Sequence, residues 1–530
     1  MSFQNFPFFL FALVTAGCYL RLPRRAQTPF LLAASAFFYG CNLYASWRTV
    51  LAKSGAAAAW FRCGFSAVLV LGTGVCVWRA ALSIAAAQGP ARTRRLRRAV
   101  IALLAVLAVC KYYNFSPLPT LFSGSVLAKL PFPLGISFFT FAAIGYLVDV
   151  ARGDCPAEPS LVHTAAFLFF FATVTSGPIC RGGEVLPQLR QEHRFDEART
   201  ADACRLFALG LFEKVAVADV LGFFVDEVFG GLDRYGAPLL LSALVLYTFQ
   251  LYFDFAGYSD MARAIGLLLG IRLPENFKTP FFATNFSGFW ARWHMSLSRW
   301  LQDYVFMPLA WADVSRTPLI GRRLARRYEH FPVEFCVFTV FFLSGFWHGN
   351  TLPFVVWGLL QAAYRVGEEL CHRRFGKPKK KGAKPALLWA KRAAVFVLWT
   401  FSMLFFRCGS GPDTASLADC GAFLAGLGRG WTLRGLPAQF AAAVAAGFYD
   451  NPLMEAGWAV FAALGLAVLF RLDGQRFFRF GGRPAEAVMA AQKPAVRWLL
   501  YYVLVIGILI GLILQNGGFG GGVSFRYANF

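Results

Sequence analysis

Residues 332–360 read PVEFCVFTVFFLSGFWHGNTLPFVVWGLL. Two apolar runs, near 332–347 and 351–370, flank a short polar knot that holds His348. About 20 apolar residues suffice for a helix to cross a bilayer. Comparable runs recur near 6–21, 28–46, 60–85, 99–115, 132–150, 161–179, 205–229, 237–270, 386–406, 455–470 and 497–515. Weaker stretches near 413–427 and 437–449 suit short helices on the outer side. The pattern predicts an all-α polytopic integral membrane protein with about 11–14 membrane-embedded helices, a few of them re-entrant or interfacial.

Composition agrees. The 530 residues are 57% hydrophobic and 15% charged, with a mean hydropathy of +0.53. A soluble chain carries about a quarter charged residues. No stretch is long and polar enough to form a separate soluble domain. The first 25 residues lack a basic leader region and read as a first membrane helix, not a removed signal.

The net charge is +24, from 52 Lys and Arg against 28 Asp and Glu. The excess gathers at 92–98, 316–327, 372–392 and 471–497, between apolar runs. Basic loops of this kind face the cytosol. That places residues 392 and 471 inside and the C-terminal segment outside, with the N-terminus on the same outer side. Such a face also attracts an anionic donor such as coenzyme A or an acidic carrier protein. Basic clusters set between membrane runs argue against nucleic-acid binding. The twelve Cys show no CxxC pair and no metal-type spacing, so spacing assigns neither disulfides nor a metal site.

Four stretches could carry chemistry. His348 sits among Ser344, Gly345, Gly349, Asn350 and Pro353, residues that let backbone or ligand approach closely. An ionisable side chain within a membrane segment is a functional candidate, and a neutral imidazole can take a proton from a hydroxyl. Residues 290–304, read as one helix, put Trp290, Trp293, His294, Leu297, Trp300, Leu301 and Tyr304 on one stripe. Arg292, Ser296, Arg299 and Asp303 then share the opposite face, as in an interfacial amphipathic helix. Pro131, Pro133 and Gly135, and the run TSGPICRGGE at 175–184, mark broken helices of the kind that line cavities. Asp149, Asp254 and Asp260 lie in or near apolar sequence; Asp254 and Asp260 could orient a His or pair with an Arg such as Arg263. No nucleophile elbow, phosphate loop or glycosidase-type carboxylate pair is present.

Four segments together resemble the membrane-bound O-acyltransferase family. They are PFPLGISFFTF, TSGPICRGGE, the long stretch YFDFAGYSDMARAIGLLLGIRLPENFKTPFFATNFSGFWARWHMSLSRWLQDYVFMPL, and FFLSGFWHGNTLPFVVWG. The nearest branch is similar to the alginate O-acetylation proteins, with the teichoic-acid D-alanyl transferases as cousins. The resemblance implies a ring-like helical fold with a central pinch. It implies N-terminal transmembrane helices over 1–98, a catalytic core over 99–370, and C-terminal helices over 371–530 with an extracytoplasmic tail from 516. It also implies that His348 is the base and that His294, held by Asp303 or a nearby acid, positions donor or hydroxyl. Arg292, Trp347, Asn276 and Asp254 are the supporting residues. The implied setting is a bacterial inner membrane.

The family likeness implies a cytosolic thioester donor, acetyl-coenzyme A or an acyl-loaded carrier, and no tightly bound cofactor. It implies an exported polysaccharide or peptidoglycan as acceptor, and an extracytoplasmic partner acetyltransferase. The chain ends Phe525-Arg526-Tyr527-Ala528-Asn529-Phe530. This is similar to the Phe-x-Tyr-x-x-Phe terminus of the small partner of D-alanylation systems, which makes Tyr527 a candidate acyl relay on a glycine-rich tether. The alternatives are D-alanyl transfer from a carrier protein, a non-catalytic channel or transporter for acyl donors, and acylation of a protein or lipid.

Overall fold

The computed structural model describes residues 3–115, 130–314, 329–376, 384–410, 416–431, 436–447 and 452–516. Among them the regular structure is helical, with one isolated bridge between Asp313 and His330. The chain forms two compact units. The first holds residues 1–207 and 258–275, and the second holds 208–257 and 276–530.

The first unit carries α1 (Phe6–Tyr19), α2 (Arg24–Ala85), α3 (Gly89–Tyr112), α4 (Ile136–Arg152), α5 (Leu161–Phe169), α6 (Gly182–Leu189) and most of α7 (Glu197–Leu211). The two apolar runs near 28–46 and 60–85 are the arms of α2. They part at Gly55, whose φ of 83° and ψ of 173° are not helical. There the chain doubles back. Cys63 Sγ donates to the Leu43 carbonyl oxygen at 3.4 Å, and the Trp60 and Trp47 rings lie 5.6 Å apart. In one straight helix Leu43 and Cys63, 20 residues apart, would be separated by about 30 Å. Only glycine adopts this conformation without cost.

The predicted breaks at 131–135 and 175–184 are present. Helix α4 begins just after Gly135, which is left-handed at φ 73°. The run read as 161–179 is helical only to Phe169; the chain then turns through 170–181 before α6. The two breaks meet, since a Cβ on Gly135 would strike the Val174 carbonyl.

The second unit carries α8 (Asp219–Gly230), α9 (Ala237–Leu268), α10 (Phe286–Trp290), α11 (Met295–Leu301), α12 (Met307–Ala310), α13 (Val333–His348), α14 (Leu352–Phe375), α15 (Pro385–Gly409), α16 (Leu417–Gly426), α17 (Leu436–Gly447), α18 (Pro452–Phe478), α19 (Ala485–Ala490) and α20 (Pro494–Asn516). The last turns of α9 belong to the first unit. A π segment, Phe212–Ala218, interrupts the apolar run before α8. Helix α20 lies close against it, where a Cβ on Gly511 would come within 2.5 Å of the Val215 carbonyl oxygen. The expected short helices near 413–427 and 437–449 are α16 and α17.

Among the described residues, five helices are long and apolar enough to cross a membrane, and three more apolar helices are shorter. The long ones include α2 with its two arms, α9, α15, and the apolar parts of α18 and α20. The five take α2 once although it has two arms, and turns or a π segment divide several other apolar runs. The apolar window of α20 has a mean hydropathy of 2.3 with 17% of it buried inside the protein. Its outward side chains include Leu499, Tyr502, Ile506 and Ile513. An apolar helix left this open in water would be costly, whereas in a bilayer it faces lipid. The chain is a multi-pass membrane protein.

Candidate active site

Both sequence-selected histidines lie in the second unit, in unlike settings. His294 ends the link between α10 and α11. Its φ of 43° and ψ of 54° are left-handed, uncommon outside glycine and worth about 1–3 kcal/mol of strain. The expected single helix over 290–304 is therefore two short helices and a π segment, Gln302–Phe306. The reason is a backbone clamp. Lys278 N–H donates to the Arg292 carbonyl at 2.9 Å, and Met295 N–H donates to the Asn276 carbonyl at 2.9 Å. Both bonds draw the link off the helical path. Nor does the Trp stripe face outward: Trp293 and Trp300 are buried, and Trp293 packs on Phe277 and Trp399.

The clamp brings the Asn276 side chain to His294. Asn276 Oδ1 accepts from Ser296 N–H at 3.2 Å and from Ser296 Oγ at 3.0 Å, and it faces His294 Nδ1 at 3.1 Å. A backbone N–H can only donate, so the atom facing it must be the amide oxygen. His294 Nδ1 therefore carries the proton, and Nε2 is the ring's acceptor. An amide faces this nitrogen where an acid, Asp303, was expected; Asp303 lies on the following π segment. Phe255 meets the ring edge-on at 4.7 Å. His294 is 1% exposed and lies outside the spanning helices. Burial pushes its pKa down, to about 3, so the ring is neutral at ordinary pH.

His348 is the last residue of α13 and is buried. Trp347 lies beside it at 4.7 Å, the Trp357 and Phe406 rings meet it edge-on at 5.0 Å each, and Phe354 stacks at 6.3 Å. Its position follows from the α13–α14 hairpin. The two helices touch through Gly345 and Gly358: a Cβ on Gly345 would come within 2.6 Å of the Phe354 carbonyl oxygen, and one on Gly358 equally near that of Phe341. Small residues that let backbones approach are a common device of membrane helix pairs. A wall of Trp290, Trp357, Trp399 and Trp293 runs from one histidine's surroundings to the other's, at ring spacings of 4.8–6.2 Å.

The remaining supporting residues have structural partners. Arg292 donates to the Gly288 carbonyl at 2.8 Å, tying down the end of α10. Asp260 pairs with Arg263 at 2.8 Å, as expected. Asp254 does not orient a histidine; it pairs with Lys214 Nζ at 2.7 Å, and the same ammonium meets Asp219 at 2.5 Å. All three are buried. Sequence reading missed Lys214 and Asp219, although the run FEKVAVAD inside an apolar stretch was a visible signal. It also missed the contact from Tyr252 OH to Asp473 Oδ2 at 3.0 Å. Asp473 and Arg476 line a small pocket with Glu213 and Phe253, but neither histidine does. Among the described residues, no group of three His, Cys, Asp or Glu is arranged to hold a metal ion. Tyr527 lies outside the described residues.

A buried neutral imidazole with a defined tautomer and a second in an aromatic enclosure suit proton transfer away from bulk water. Residues 155–320 match the model of the membrane-bound O-acyltransferase family. The peptidoglycan O-acetyltransferase of Helicobacter pylori is 32% identical over 400 residues, covering 67% of this chain and 68% of that protein. The chain belongs to the membrane-bound O-acyltransferase family. Within this family it is also similar to the probable alginate O-acetylase of Pseudomonas aeruginosa, 34% identical over 367 residues. That match covers 67% of this chain and 63% of the Pseudomonas protein, less than two thirds of its length. The teichoic acid D-alanyltransferase of Streptococcus thermophilus is 32% identical over 293 residues, covering 52% of this chain and 68% of that protein.

Proposed function

We propose that this chain is an O-acyltransferase that carries acetyl from a cytosolic thioester, acetyl-coenzyme A, to a hydroxyl destined for an exported polysaccharide or peptidoglycan. The observation that carries this reading is His348, an ionisable ring at the polar break between two apolar helices, enclosed by aromatic residues. The names of the O-acetylating relatives support acetyl as the acyl group and a polysaccharide or peptidoglycan as the acceptor.

In this reaction an acceptor oxygen attacks the thioester carbonyl, the C–S bond breaks and the thiolate leaves. His348 takes the hydroxyl proton as the new C–O bond forms, a role worth about 10²–10⁴ in rate. His294, fixed by Asn276, positions donor or hydroxyl, and holding both reactants together supplies more. No acyl-Ser or acyl-Cys intermediate is needed. Tyr527 is the first acceptor, passing acetyl to an extracytoplasmic partner acetyltransferase. The protein sits in a bacterial inner membrane with its C-terminal tail outside, as the basic clusters at 372–392 and 471–497 suggest. The similarity to teichoic acid D-alanyltransferases keeps a second reading in view, D-alanyl transfer from a carrier protein.

The test is labelling from radiolabelled acetyl-coenzyme A in proteoliposomes, with wild type, His348→Ala and Tyr527→Phe. Label on the wild-type C-terminal peptide, and on neither variant, is the expected outcome. No label on folded wild type, with label appearing from a D-alanyl carrier, would replace the first reading by the second.

A further inference from the structure

Cations and aromatic rings gather around the end of α18. Arg392, two turns into α15, is 9% exposed. Its guanidinium carbon lies 4.6 Å from the centre of the Trp389 ring, 5.2 Å from that of Phe478 and 5.4 Å from that of Phe477. Arg292, in the link between α10 and α11, lies 5.7 Å from the same Phe477 ring. Two guanidinium groups therefore share one ring. Lys278 is tied to Arg292 by the backbone clamp, and its ammonium stands beside Gly482, where a Cβ would come within 3.2 Å of Nζ.

These cations have few acceptors. Arg392 Nε donates to the Phe282 carbonyl at 3.2 Å, and its two terminal nitrogens meet no acceptor among the described residues. Arg292 holds the Gly288 carbonyl at 2.8 Å. Among the described residues no carboxylate pairs with any of the three; Asp473, one turn before Phe477, pairs with Arg476 instead, at 3.4 Å. Like charges gathered away from bulk water repel, and a nearly buried guanidinium with unfilled donors costs free energy. An anion with several oxygens supplies both the countercharge and the acceptors, and the planar fork of arginine matches phosphate.

The location of the cluster names the source of that phosphate. Trp389 is 55% exposed near the start of α15, and Phe478 is 59% exposed at the end of α18. Both helices are long and apolar enough to cross a membrane, and the two rings stand 6.1 Å apart. Outward aromatic rings at the ends of spanning helices sit at the level of lipid headgroups. Basic pockets between such helices hold anionic headgroups. We propose that Arg392, Arg292 and Lys278 form a site for the phosphate of an anionic phospholipid, with Trp389 and Phe478 packed against the lipid beside it. The phosphates of coenzyme A share this chemistry, but the outward rings beside Arg392 favour a ligand that arrives from the bilayer.

The test reads lipid retention and no acyl transfer, so its failure is distinguishable from failure of the proposed reaction. Full-length protein, delipidated in detergent, is titrated with dioleoyl phosphatidylglycerol, dioleoyl phosphatidylcholine or coenzyme A, and bound ligand is counted by native mass spectrometry. Wild type should hold phosphatidylglycerol more tightly than phosphatidylcholine. Arg392→Gln should weaken phosphatidylglycerol by about tenfold or more, as expected for the loss of a charged hydrogen bond. Arg97→Gln, at an exposed basic position of the first unit, should leave that affinity unchanged. Arg292→Gln should weaken it in the same direction, and it carries the test where Arg392→Gln does not fold. Equal binding of the two lipids by wild type, or wild-type affinity in a folded arginine variant, would overturn the proposal. Displacement of phosphatidylglycerol by coenzyme A, with coenzyme A binding lost in Arg392→Gln, would give the phosphate site to the acyl donor and overturn it as well.

Discussion

The two histidines are held by opposite means. His294 is fixed by directed polar contacts: a strained backbone, a clamp to residues 276–278, and one amide oxygen that faces its ring and accepts from Ser296. His348 is placed by shape, between aromatic rings on a hairpin closed by glycines. A ring set by a hydrogen-bonded amide has its tautomer and direction decided in advance. A ring set by flat apolar surfaces has its plane fixed by packing. Under the proposed function, this difference suits His294 to positioning and His348 to proton removal.

The largest effect expected belongs to the second region. His348→Ala should lower acyl transfer by about 10²–10⁴ while the protein still folds. Retention of full activity would break the assignment. In the first region, Lys214→Met leaves Asp254 and Asp219 buried without their shared cation, next in sequence to the Phe255 that packs on His294. A loss of about 3–5 kcal/mol is expected, read by denaturation in detergent. Asn276→Ala removes the oxygen that organises His294 and Ser296 and should cost about 2–3 kcal/mol, whereas Asn276→Asp keeps an acceptor and should cost less. If Asn276→Ala melts like wild type, the polar account of His294 fails.

Gly358→Ala probes the contrast from the other side. The added methyl meets the Phe341 carbonyl, so about 1–3 kcal/mol should be lost through packing alone, with His294 undisturbed. The smallest effect is on pH. His294 has its pKa pushed from 6.5 down to about 3 in the folded state. Between these values the unfolded chain takes up a proton that the folded one refuses, so this residue's contribution disfavours folding increasingly as pH falls through that window. Melting followed between pH 7 and 5 should fall less steeply in His294→Gln than in wild type. Equal slopes would mean that His294 is not held neutral.

The sequence made the helical membrane fold legible, because long apolar runs with basic clusters between them have few other solutions. The hairpin around His348 was legible for the same reason, as a polar knot between two such runs. The surroundings of His294 were not. A period of 3.6 carried across residues 290–304 assumes an unbroken helix, and nothing in the sequence said that Asn276, 18 positions earlier, would draw the backbone out of it. Lys214 was hidden differently, since one cation in an apolar run reads as a topology signal until Asp254, 40 positions later, joins Asp219 on it.

The division of labour between the histidines is tested most directly by separating donor binding from turnover. Affinity for a non-hydrolysable acetyl-coenzyme A analogue and the single-turnover transfer rate would be measured for wild type, His348→Ala and His294→Ala. His348→Ala should keep wild-type affinity and lose the rate by about 10²-fold or more, while His294→Ala should lose part of each. A His348→Ala protein that transfers acetyl at the wild-type rate would contradict the account.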